Sequence, residues 1–109
     1  MQTICIFLKT AWKPSFANVQ FGPFRLLNEK EAKLPCEPST GAPAPTYEWF
    51  KNNELLTYDE GSRYRLENDG TLVIKEVDKD QDNVNYTCKA KNFKGEDSVT
   101  TVPIILGKT

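Results

Sequence analysis

The sequence predicts an all-β fold, an antiparallel sandwich, on three observations. Turn-forming clusters recur along the chain, at Gly22-Pro23, Pro38 to Pro45, Asn52-Asn53, Glu60-Gly61-Ser62, Asn68-Asp69-Gly70, Asp78 to Asn83 and Lys94-Gly95. The runs between them are about four to eight residues long, the length of strands. None of these runs sustains an apolar period of 3.6 residues, so no helix would have a face to bury.

Taken in chain order, several runs alternate with period two. Leu34 and Cys36 share one face of the first. In the next, Tyr47 and Trp49 share a face, with Glu48 and Phe50 on the other. Tyr64 with Leu66, Leu72 with Ile74, and Tyr86 with Cys88 and Ala90 follow the same rule, and all these sets are expected to point into one core. Gly41-Ala42-Pro43-Ala44-Pro45 is read as a stiff loop, because its two prolines lack the amide donors of a central strand. Asp78 to Gln81 is the one place for a single helical turn, as a connection between strands.

The chain has 109 residues, enough for one core, and the single domain is placed at 13–107. Residues 1–12 are read as an N-terminal extension and 108–109 as a C-terminal linker. The apolar run Ile4 to Leu8 is too short for a signal-peptide core or a membrane span, so no membrane insertion by this segment is expected.

Composition excludes several classes. Fourteen Lys and Arg against fifteen Asp and Glu are scattered in mixed sign, without the basic stripe that nucleic acid needs. The chain has no His, which closes the Cys-His and Ser-His-Asp routes to a nucleophile. It also lacks a C-x-x-C pair, so a zinc set cannot be completed, and neither metal nor cofactor is expected. The carboxylate pairs Asp59-Glu60 and Glu96-Asp97 fall in turn and hairpin regions, where solvated charge is the ordinary reading. Three Cys allow one intramolecular pair and a leftover. Cys5 is either a small apolar residue at the domain edge or a partner for another domain or chain.

One constellation is far more specific. Cys36 is followed by Trp49, Leu72, Asp82, Tyr86 and Cys88, and around them stand GAPAP, Trp49-Phe50-Lys51, Asp69-Gly70-Thr71-Leu72-x-Ile74, Asp82-x-Val84-x-Tyr86-x-Cys88 and Ala90-x-Asn92-x-x-Gly95. Jointly these motifs resemble the I-set of the immunoglobulin superfamily, over about Pro14 to Leu106. The resemblance implies an immunoglobulin-like sandwich of two sheets with one inter-sheet disulfide, Cys36 to Cys88. It further implies that Trp49 packs on that bond beside Leu72, that the Tyr86 hydroxyl bonds back to the preceding turn, and that Asp82 pairs with Arg63. Two stretches depart from the family pattern: Asn28-Glu29-Lys30-Glu31 replaces the usual Gly, and QFGPF stands in the first strand region.

The same resemblance is strongest to domains of neural cell-adhesion receptors such as contactins and sidekick. It implies a non-catalytic, extracellular module of a membrane-anchored or secreted parent, touching neighbouring domains and other proteins, homophilic contacts among them. The rival is an intracellular spacer module of a giant muscle protein. Alternation turns Phe50, with Thr87 and Lys89, onto an outer face expected to bind protein. Asn85-Tyr86-Thr87 is a glycosylation sequon on that same face.

Overall fold

The computed structural model describes residues 11–107. Expectations placed on residues 1–10, Cys5 among them, and on 108–109 lie outside the described residues. Among the described residues eleven strands and one helical turn follow in order: β1 (Trp12–Ser15), β2 (Arg25–Leu27), β3 (Ala32–Leu34), β4 (Thr40–Ala42), β5 (Thr46–Lys51), β6 (Glu54–Leu55), β7 (Tyr64–Leu66), β8 (Leu72–Ile74), α1 (Lys79–Asp82), β9 (Tyr86–Asn92), β10 (Gly95–Thr101) and β11 (Ile104–Leu106).

One layer holds the ladder β3-β8-β7, antiparallel throughout; the other holds β10-β9-β5-β6, with β11 parallel to β2, and the short β1–β4 pair lies against β9 and β10. Pro103, buried and lacking an amide proton, separates β10 from β11 and lets the chain leave one partner for another. The layers close on Leu34, Cys36, Trp49, Leu72, Ile74, Tyr86, Cys88 and Ala90, all buried. Full burial of each large apolar side chain contributes about 1.5–3 kcal/mol.

Cys36 and Cys88 form a disulfide, with an S–S distance of 2.05 Å and 6.5 Å between Cα atoms. Trp49 lies directly opposite Cys88 in the β5–β9 ladder, so the ring sits beside the bond by register alone. Its Nε1 donates to the Gly70 carbonyl at 2.8 Å, which satisfies the one polar atom of a wholly buried side chain. The Asp69-Gly70-Thr71 motif supplies that carbonyl. The Asp69 carboxylate accepts from the Thr71 amide at 3.0 Å, and Gly70 takes φ +93° with the Tyr47 ring 2.8 Å from where a Cβ would stand.

The departures from the family pattern also have a place. Phe21 packs against Phe24 edge to face and tilts over Trp49 at 6.0 Å, so QFGPF plugs one flank of the core. Glu29 occupies the left-handed region at φ +68°, taking the conformation a Gly would favour.

Three expectations need correction. Gly41 and Ala42 belong to β4, because an edge ladder with β1 tolerates what a central one would not; only Pro43 to Pro45 is loop. The helical turn covers Lys79–Asp82, one residue later than expected, because Asp78 serves as its N-cap and accepts from the Asp80 amide. Period two also fails at β8, where Val73 is as buried as Leu72 and Ile74. Its cross-strand neighbours are Lys33 and Arg65, both ion-paired to Glu67, and long side chains of this kind can shield an apolar neighbour with their aliphatic stems.

Removing the disulfide by Cys36→Ala with Cys88→Ala is expected to cost about 3–4 kcal/mol in chemical denaturation. Gly70→Ala, which drives a methyl into the Tyr47 ring at a strained φ, is expected to cost about 1–3 kcal/mol by the same measurement.

Candidate functional site

The strongest electrostatic feature is buried. Asp82 is fully enclosed, at the end of α1, and three strands send donors to it. Its Oδ1 accepts from Lys51 Nζ at 2.9 Å, Arg63 Nη2 at 2.9 Å, Tyr64 Oη at 3.2 Å and Tyr86 Oη at 3.3 Å. Its Oδ2 accepts from Arg63 Nη1 at 3.0 Å and the Asp78 amide at 2.8 Å. Arg63 thus binds the carboxylate in fork geometry, and its Nη1 also donates to the Glu76 carbonyl at 2.7 Å. The Tyr64 hydroxyl links the two cations, accepting from Lys51 at 2.7 Å and from Arg63 at 3.1 Å.

Burial opposes the Asp82 charge, but the hydrogen bonds from Arg63, the Asp78 amide and Lys51 outweigh it and hold the carboxyl well below the usual carboxylate range. The bonds to Asp82 raise Arg63 in turn. Burial first, then the Asp82 charge, raises Tyr86, so its hydroxyl stays a donor. Every acceptor position is occupied from within the fold, so the cluster braces the strands and leaves no group to act on a substrate. The implied Asp82–Arg63 pair is present; Lys51 and Tyr64 were not read as part of it.

The outer face of β5, β9 and β10 is arranged by register. Leu55, Phe50, Thr87 and Thr100 lie in one cross-strand row. Phe50 is half-buried rather than simply exposed, because the Lys89 ammonium sits 5.5 Å above its ring. Lys89 is held there between Glu48 at 3.8 Å and Glu96 at 3.7 Å. Thr87 and Thr100 share a hydroxyl hydrogen bond of 2.7 Å. Leu55, 52% exposed, is the open apolar member of the row and was missed. The turn Asn52-Asn53 carries its signal, since a two-residue hairpin returns Leu55 opposite Phe50.

Asn85 immediately precedes β9. Its Oδ1 is buried without a hydrogen-bond partner, while its backbone carbonyl accepts from the Asn52 amide at 2.9 Å. Asp59 and Glu60 are exposed at a turn, whereas Glu96 pairs with Lys89 and Asp97 accepts amides from Phe16 at 2.8 Å and Ser98 at 2.9 Å. Asp97 is therefore a structural group that ties the loop after β1 to β10. No cluster of three or more His, Cys, Asp or Glu side chains suited to a metal occurs among the described residues.

A sandwich pinned by one inter-sheet disulfide, with the Asp82 cluster spent on bracing, defines a β-sandwich module whose outer face is open. The residue pattern of the immunoglobulin domain matches residues 13–92, and the chain belongs to that family. It is 39% identical over 70 residues to protein sax-3 of Caenorhabditis elegans, covering 64% of this chain and 5% of that protein. It is 38% identical over 68 residues to a vascular endothelial growth factor receptor kdr-like of Danio rerio, covering 62% and 5%. The chain thus spans about a twentieth of these relatives' length. Among solved structures it resembles Sidekick-1 immunoglobulin domains 1–4, with 27% identity, TM-score 0.68 and coverage of 87% of this chain and 24% of that one. It also resembles the titin M10–obscurin-like 1 immunoglobulin complex, at 28% identity and TM-score 0.71, covering 89% and 97%.

Asp82→Asn keeps the side chain's shape and removes the charge that Arg63 and Lys51 need, at an expected cost of about 3–5 kcal/mol in urea denaturation. Because the folded-state value is depressed, the Asp82 contribution is complete above the ordinary aspartate value of about 3.9 and is lost as pH falls below it. The variant's stability should therefore fall less steeply than the parent's between about pH 4 and pH 2.

Proposed function

We propose that this domain is a non-catalytic module of a multidomain cell-surface receptor, making protein–protein contacts in cell adhesion or axon guidance, and that Phe50, Thr87 and Lys89 belong to its binding face. The observation that carries this reading is the Leu55-Phe50-Thr87-Thr100 row on the outer face. Its aromatic ring is held in place by a cation–π contact, and Leu55 opens it to solvent. Rigid aromatics beside an apolar neighbour bind at low entropic cost. The likeness to the kdr-like receptor and to Sidekick-1 supports the receptor setting. The disulfide supports an extracellular location, since such bonds persist in oxidising compartments.

Asn85 is the proposed glycan acceptor. Burial of an unpartnered carboxamide oxygen costs about 1–3 kcal/mol, and swinging the side chain into solvent would relieve it while presenting the nitrogen for modification. A glycan there would cover part of the Phe50 face, so occupancy would regulate binding. The second reading, an intracellular spacer, is favoured by the near-complete overlap with the titin M10–obscurin-like 1 complex.

Beads coated with the chain should cluster with one another or with cells bearing its partner, and Phe50→Ala should reduce clustering about tenfold while leaving the fold intact. Clustering unchanged by Phe50→Ala and by Leu55→Lys would reject this face.

A further inference from the structure

The fold gathers charge that the sequence scatters. Lys91, Lys94 and Lys13 surround the turn between β9 and β10, where the Lys13 stem lies 3.3 Å from the position of a Cβ on Gly95. All three are exposed, and none stands within ion-pair distance of a carboxylate among the described residues. The acids nearest in register are engaged elsewhere: Glu96 faces Lys91 across the ladder but bonds to Lys89, and both oxygens of Asp97 take backbone amides.

In the same turn stands Phe93, which at 67% is the most exposed of the large apolar side chains described. It walls a groove shared with Pro43, Ala44, Tyr47 and Lys91, whose far side is formed by Glu48 and the Lys89 that neutralises it. Asn92 stiffens this end of the molecule. Its Nδ2 donates to the carbonyls of Trp12 at 2.7 Å and Pro43 at 3.2 Å, and its Oδ1 accepts from the Lys94 amide at 2.9 Å. A pre-ordered turn loses little entropy on binding.

We propose that the β9–β10 turn is a second docking site, one for an acidic protein segment in which an apolar side chain is flanked by carboxylates. The apolar side chain enters the groove against Phe93, and the carboxylates meet Lys91, Lys94 and Lys13. A sulfated polysaccharide would use the lysines and leave the apolar walls idle, and a lipid surface is flat where this site is concave. The groove adjoins the Phe50 face through Lys89 and Glu48, which are paired to each other, but Lys91, Phe93 and Lys94 lie outside the Phe50 row, so variants at these three residues test the turn apart from that face.

The test is a titration of the isotope-labelled chain, followed by amide chemical shifts, with the blocked peptide Asp-Glu-Leu-Glu-Asp. Parallel arms use heparin and vesicles of anionic phospholipid. The expected result is saturable peptide shifts at Lys91, Phe93 and Lys94, weakened by salt as for an exposed charged contact. Phe93→Ala should weaken binding about tenfold. Lys91→Glu with Lys94→Glu should abolish it, with a far-ultraviolet spectrum like the parent's. Peptide shifts that are absent, that map elsewhere or that survive both variants would overturn the proposal. So would binding of heparin or vesicles without binding of the peptide.

Discussion

The distance between the two sheets is set where Cys36 meets Cys88 with Trp49 beside them. One covalent bond spans the layers, and the ring that fills the space next to it is fixed by direct cross-strand pairing with Cys88. The Trp49 nitrogen then needs a carbonyl, which binds the Asp69-Gly70-Thr71 turn to the core and makes its Gly obligatory. Phe21 rests on the same ring, so the irregular approach to β2 also takes its position from it. Strand register, one turn and one loop therefore share a single origin.

Asp82 plays the corresponding part at one end of the sandwich. Its carboxylate replaces water with six donors, drawn from β5, the start of β7, β9 and the N-cap of its own helical turn. A buried charge of this kind is tolerated only when its partners are complete. The result is a rigid end from which β9 runs straight into the Phe50 face.

What the sequence made legible follows from what each feature depends on. Alternation is local, so the inward set Leu34, Cys36, Trp49, Leu72, Ile74, Tyr86, Cys88 and Ala90 could be read from spacing. The Arg63–Asp82 pair could be read only through resemblance to a family. Recruitment of Lys51 and Tyr64 depends on three strands converging, which no local pattern states. Phe50 looked open because the Lys89 that covers it comes from a neighbouring strand whose register was unknown. Lys13, Lys91 and Lys94 form a group only after β1 is laid beside the β9–β10 turn.

The functional account rests on a rigid, oxidised sandwich that offers surface rather than chemistry. Intact mass of the chain from a secretory host, taken before and after reduction and with thiol alkylation of the folded protein, tests this most directly. The account predicts a gain of two hydrogens on reduction, with Cys36 and Cys88 protected from alkylation until then. A native chain already at full hydrogen count, with Cys36 and Cys88 alkylated, would contradict it.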